Sequence, residues 1–188
     1  TSFLRAVVRV GSIDLLKRPV DYYLSPSSNS NSSIASEMIK ALVHFEQYAT
    51  AHKIFEKYIE SNPYFVQNPG VFNSFSQLNL SIGFSQGVFD TFKMMRQREI
   101  ESNHNSYLLL MQAAAAKGDF DLAEKIYNYL RNESTYTIYS NSIEILLKAY
   151  VQNDAGKKLF LQRAAQVLQA HKQRFSKPST TADLIRHQ

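Results

Sequence analysis

Cysteine and tryptophan are absent from this 188-residue sequence, and glycine and proline are scarce, with six and five residues. The missing cysteine excludes disulfides, a catalytic thiolate and cysteine-ligated zinc. The sequence has no run of 18 apolar residues that would predict a membrane-spanning helix. Its apolar content of 44% and charged content of 20% are typical of globular proteins.

Few residues suggest chemistry. There is no glycine-rich phosphate loop and no nucleophile next to a general base, so we expect no catalytic activity and no cofactor. The spacing of the five histidines does not suggest a metal site; they are His44, His52, His104, His171 and His187. The net charge of +5 favours an anionic partner. The chain opens inside a repeat without an initiator methionine, and we therefore expect a fragment or a processed chain.

The stretch 104–131 predicts two amphipathic helices joined by a turn at Gly118. Asp121 followed by Glu124 resembles a capping box, which predicts that the second helix starts there. Apolar residues recur at helical spacing in both halves. They are Tyr107, Leu110, Met111 and Ala114 in the first half, and Leu122, Ala123, Ile126, Tyr127 and Leu130 in the second.

The same pattern recurs along the chain, which indicates a repeat array. We predict an all-α fold of about five helix-turn-helix hairpins over 1–31, 32–68, 69–103, 104–139 and 140–175, followed by a polar tail over 176–188. The turn position holds Gly11, Glu46, Gly83, Gly118 and Asp154, at steps of 35, 37, 35 and 36 residues. Apolar positions of the second helix keep the same register: Leu16, Ala51, Val88 and Ala123, then Tyr23, Tyr58, Met95 and Leu130.

A period near 35, small residues in mid-helix and a glycine turn together resemble the pentatricopeptide repeat family. The resemblance covers almost the whole chain. It implies a right-handed superhelical solenoid that binds single-stranded RNA in a mitochondrion. The implied roles are RNA processing, mRNA stability, translation regulation or ribosome assembly, with organellar mRNA or rRNA as the partner. The tetratricopeptide repeat is the nearest rival, but its period is 34 and its first helix carries tryptophan.

The resemblance also implies base-reading residues. In the family, a residue near the start of the first helix and the last residue of the repeat read one base together. The corresponding pairs here are Thr1 with Asn31, Ser36 with Asn68, and Asn73 with Asn103. In the fourth hairpin Leu108 with Tyr139 matches no such pair.

Helical spacing gives an independent prediction of a polar groove. Residues four apart share one face of a helix, so each of these first-helix positions extends into a stripe. Arginine and lysine would neutralise phosphates, and amides would bond to unpaired bases. The predicted groove residues are Arg5, Arg9, Lys40, His44, Gln77, Gln112 and Lys148.

Other interpretations stay open at this stage. The repeated asparagines also suit turns, which favour this residue, and a polar groove also suits a protein-binding scaffold or a structural component of an organellar ribosome. The tyrosines at 22, 23, 127, 129 and 136 suit base stacking or packing between repeats. A basic cluster between 157 and 177 suits a solvated helix face or a contact with folded RNA.

Overall fold

The computed structural model describes residues 2–26, 28, 31–62, 68–132 and 140–152, together with 162, 163, 165, 166, 168 and 169. All regular structure in these ranges is helical. The helices are α1 (Ser2–Val10), α2 (Asp14–Leu24), α3 (Ser32–His44), α4 (Tyr48–Ser61), α5 (Gly70–Ser81), α6 (Ser85–Gln97), α7 (His104–Ala116), α8 (Phe120–Asn132) and α9 (Ser140–Gln152).

Four pairs of helices are joined by the same tight turn. The residue at each predicted turn position has a left-handed backbone, with φ between 58° and 76°. In the three later turns the following N–H bonds to the carbonyl five residues back at 2.8 to 2.9 Å, which ends the first helix. The predicted turn positions are confirmed for Gly11, Glu46, Gly83 and Gly118, whereas Asp154 lies outside the described residues.

The start of α8 differs from the prediction. The Asp119 carboxylate accepts a hydrogen bond from the backbone N–H of Leu122 at 3.1 Å, and the helix begins at Phe120. The predicted cap at Asp121 is therefore wrong. Asp121 lies inside the first turn, where its carboxylate is 3.3 Å from Nη1 of Arg163.

The first helices pack side by side in chain order. α3 contacts both α1 and α5, and α7 contacts both α5 and α9. Each second helix packs against the first helix of its own pair, and α2, α4 and α6 also contact α4, α5 and α7 respectively. The all-α fold with packed neighbouring helices is therefore observed. Helices α3, α5, α7 and α9 begin at residues 32, 70, 104 and 140, beside the expected starts of the repeats.

The apolar repeat positions form the core. Small residues such as Ala51 and Ala123 are completely buried, which lets neighbouring helices approach closely. Not every apolar residue of the first helices is buried, since Phe3 of α1 has 52% of its surface exposed. Tyr23 and Tyr127 are buried in packing contacts, whereas Tyr22 is 70% exposed. The other predicted second-helix core positions are also buried: Leu16, Val88, Tyr58, Met95 and Leu130.

Within the described ranges, no helix has the length and apolar character needed to cross a membrane. The predicted fifth second helix falls largely outside the described residues, as do the 176–188 tail, the basic cluster except Arg163, and Tyr136.

Candidate nucleic-acid interface

On α3 and α5 the exposed polar row begins one helical turn later than predicted. Arg5, Lys40 and Gln77 are exposed. Four residues earlier in the same stripes, Ser36 and Asn73 are each only 7% exposed. The predicted groove residues therefore lie on the surface, Gln112 being half-buried, whereas the base-reading residues at the start of α3 and α5 lie inside. The other exposed members of the row are Arg9, His44 and Lys148.

Ser36 lies in the contact between α3 and α5. Its hydroxyl is 2.9 Å from the hydroxyl of Ser74 and 3.3 Å from the carbonyl oxygen of Gly70. Ser74 also donates to the Gly70 carbonyl at 2.9 Å. The hydrogen-bonding capacity of Ser36 is thus used inside the protein, in the seam between two repeats.

Asn73 occupies the equivalent place between α5 and α7. Its Nδ2 donates to Oδ1 of Asn103 at 3.1 Å, and its Oδ1 accepts from the Ser106 hydroxyl at 2.8 Å. The predicted base-reading pair Asn73 and Asn103 is therefore brought together, but its two amides bond to each other. The buried amide of Asn73 needs such partners, because an unsatisfied polar group is costly inside a protein.

The asparagines at the repeat ends organise the starts of the following helices. Asn31 accepts from the backbone N–H of Ser33 at 2.8 Å, and Asn103 caps α7 by accepting from that of Ser106 at 3.1 Å. Asn68 accepts from the N–H of Gly70 at 2.8 Å. This is the turn chemistry that the sequence left open as an alternative. Thr1, the predicted base-reading partner of Asn31, lies outside the described residues.

The cations at the start of the row share one carboxylate. Glu37 accepts from Nε of Arg5 at 2.8 Å and from Nζ of Lys40 at 2.9 Å. The hydrogen bond from Arg5, assisted by Lys40, lowers the pKa of Glu37 to about 2, although burial acts in the opposite direction. Glu37 is only 9% exposed. It holds α1 and α3 together and orients both cations.

Lys148 at the other end of the row is also paired. Its Nζ lies 2.6 Å from Oε1 of Glu144, one turn earlier on α9, and the ammonium lowers the pKa of that carboxyl. Both side chains are more than 60% exposed, so water screens the pair and an anion competes with it easily. Arg9, by contrast, is exposed and makes no ion pair within the described part of the chain. Arg9 is therefore the cation of the row most open to a phosphate.

Leu108, which matches no base-reading pair, is 6% exposed and belongs to the apolar cluster formed by α7, α8 and α9. Three residues that organise this face were not predicted from the sequence: Glu37, Ser74 and Ser106. The Glu37 to Lys40 spacing is visible in the sequence as an i,i+3 pair. The Arg5 contact joins residues 32 apart and leaves no local signal.

Among the described residues, no group of three or more histidine, aspartate or glutamate side chains is placed to hold a metal ion. The chain matches no protein-family model, and the comparison with curated proteins finds no match.

Proposed function

We propose that this chain is a non-catalytic, pentatricopeptide-like array that binds single-stranded RNA along its first helices. The array would wind as a right-handed superhelical solenoid with the exposed row on its concave side. By its resemblance to that family, it would act on organellar mRNA or rRNA in the mitochondrial matrix. RNA processing, mRNA stability, translation and ribosome assembly are the processes to which it would contribute.

One observation carries the proposal: consecutive packed first helices expose polar side chains at equivalent positions. Arg5, Arg9 and Lys40 supply positive charge at one end, and Gln77 supplies an exposed amide farther along. Cations neutralise phosphates and release counterions, while amides hydrogen-bond to the edges of unpaired bases. The row presents one set of polar side chains per helix pair, which suits RNA, a polymer with one phosphate and one base per nucleotide.

In this proposal affinity and base selectivity come from different residues. The exposed cations supply affinity, because phosphate contacts carry no base information. For the predicted pairs to read a base, the present hydrogen bonds of Ser36 and Asn73 inside the protein would have to break. A base that enters there must replace buried hydrogen bonds, so we expect weak selectivity from these pairs.

The alternative is a protein-binding scaffold, including a structural component of an organellar ribosome. The inward bonds of Ser36 and Asn73 favour it, since these positions would then be structural. The shared Glu37 carboxylate also favours it, because it offsets part of the charge of Arg5 and Lys40. A scaffold would bind its partner with little dependence on salt, whereas RNA binding falls steeply as salt rises.

The deciding experiment is fluorescence anisotropy with labelled single-stranded RNA at several salt concentrations. The variant Arg5→Ala/Arg9→Ala/Lys40→Ala should bind all sequences more weakly. Its salt slope should fall by about 2, since each phosphate contact on a single strand contributes roughly 0.7. The control removes the same charge from exposed positions of second helices, as Arg18→Ala/Lys53→Ala/Lys125→Ala. Equal losses in both variants would contradict the proposed face.

A further inference from the structure

A groove lies between α6 and α8, away from the exposed row on the first helices. Both helices pack on α7 but make few contacts with each other. The space between them measures about 600 Å³. Phe89 and Phe92 of α6 and Leu122 of α8 form the walls, and Leu110 of α7 forms the floor. The groove is therefore apolar and open to solvent.

The rim of this groove is positively charged. Lys93 and Arg96 of α6 both line it and are exposed. They are three residues apart, so they lie on the same side of the helix. Within the described part of the chain neither makes an ion pair, and the groove lining includes no carboxylate. A third cation, Lys117, lies 5.2 Å from the centroid of the Phe89 ring.

The nearby acidic groups are engaged elsewhere. Asp90, on the same helix as the rim cations, accepts a hydrogen bond from the side chain of Gln86 at 3.1 Å. Asp121 and Glu124 of α8 both face Arg163, at 3.3 and 3.4 Å. The charge at the groove rim is therefore available to a ligand.

We propose that this groove binds an amphipathic helix of a partner protein, which inserts apolar side chains between α6 and α8 and places acidic side chains next to Lys93 and Arg96. Helices bind apolar grooves through side chains spaced three or four residues apart. The charge complementarity selects an acidic partner. An RNA strand fits less well, because four of the seven lining side chains are apolar and only Gln97 adds an amide beside the two cations.

This inference is independent of the proposed RNA function, since the groove residues do not belong to the first-helix row. The first test is peptide display on the full chain, with a random library as the probe. We expect enrichment of peptides that combine apolar residues at spacings of three or four with glutamate or aspartate. Enrichment of basic or uncharged peptides, or no enrichment, would overturn the proposal.

The second test is a charge swap. An enriched acidic peptide, measured by anisotropy, should bind the variant Lys93→Glu/Arg96→Glu about tenfold more weakly, since two favourable charge contacts become repulsive. A peptide with the acidic residues changed to lysine should recover binding to that variant. The control Lys53→Glu reverses an exposed lysine on α4 and should leave both affinities unchanged. Unchanged binding by the double variant, or no recovery, would show that the peptide binds elsewhere.

Competition separates the two functions. An enriched peptide should not displace single-stranded RNA from the wild-type chain, and Arg5→Ala/Arg9→Ala/Lys40→Ala should still bind the peptide. Loss of peptide binding in that triple variant would place the peptide on the first helices and overturn the groove assignment. If the triple variant loses RNA binding but still binds the peptide, the groove assignment is supported.

Discussion

Asn73 and Asn103 are hydrogen-bonded to each other across the contact between α5 and α7, with 3.1 Å between Nδ2 of the first and Oδ1 of the second. Ser106 completes the cluster through its hydroxyl, which donates to Asn73, and its N–H, which donates to Asn103. A pair expected to contact a base thus joins two repeats.

The first prediction tests this structural role. Asn73→Ala should lower the free energy of unfolding by about 1 to 3 kcal/mol, because it removes two hydrogen bonds at the contact between α5 and α7. Asn103→Ala should cost about 1 kcal/mol for the lost helix cap, plus the lost contact with Asn73. In a double-mutant cycle followed by urea denaturation, the two changes should couple by at least about 0.5 kcal/mol. Asn31→Ala, which removes only a cap, is the control and should be additive with Asn73→Ala.

The second prediction concerns base selectivity. In Asn68→Asp the carboxylate still accepts the hydrogen bond from the N–H of Gly70, and Ser36 stays bonded to Ser74. We therefore expect this variant to rank adenine- and guanine-containing RNAs as the wild type does in competition binding. A change of this ranking in favour of guanine would show instead that Ser36 and Asn68 read a base, because a carboxylate accepts hydrogen bonds but cannot donate.

The third prediction is a pH dependence that comes from Glu37. Its pKa falls from an ordinary 4.5 to about 2 in the folded chain, so the unfolded chain takes up the proton first as the pH drops. The stabilisation of the fold by ionised Glu37 is complete above about pH 5 and is lost as the pH falls through 4.5 toward 2. Glu37→Gln should therefore be less stable at pH 7 by about 1 to 2 kcal/mol, a value reduced for the solvent exposure of Arg5 and Lys40.

Thermal unfolding between pH 7 and pH 2 measures this effect. The curve for Glu37→Gln should be flatter than that of the wild type in the acid range. Glu144→Gln removes the exposed carboxylate of the Lys148 pair, and its curve of melting temperature against pH should match that of the wild type closely. Parallel curves for the wild type and Glu37→Gln would contradict the assigned role.

The fourth prediction concerns the turn at Glu46, which has a left-handed φ of 58° where three other repeats have glycine. A side chain is disfavoured in this conformation, and glycine relieves it at some cost in chain entropy. Glu46→Gly should raise the free energy of unfolding by about 0.5 to 1 kcal/mol. Gly83→Ala, in the equivalent turn, should lower it by about 1 kcal/mol. A lower midpoint for Glu46→Gly in denaturant titrations would refute this explanation.

The sequence by itself determined the helices, their turns and their core positions. Turn residues and apolar columns are properties of each helix, so their period of about 35 residues can be seen without knowledge of the neighbours. Gly11, Gly83 and Gly118 stand where the backbone is left-handed, and even Glu46, without glycine's freedom, follows the same register. The start of α8 was misplaced because Asp119 and Asp121 are both good caps, and only the observed hydrogen bond distinguishes them.

Only the tertiary structure decided which polar residues face solvent. Helical periodicity places Ser36 and Lys40 on one stripe, but it does not reveal how far along that stripe the next helix packs. In the fold, Ser36 meets the start of α5 and is buried against Ser74, whereas Lys40, one turn later, is exposed and bonds to Glu37. The partnership of Arg5 with Glu37 likewise depends on how two hairpins dock, and residues 32 apart carry no local pattern that fixes it.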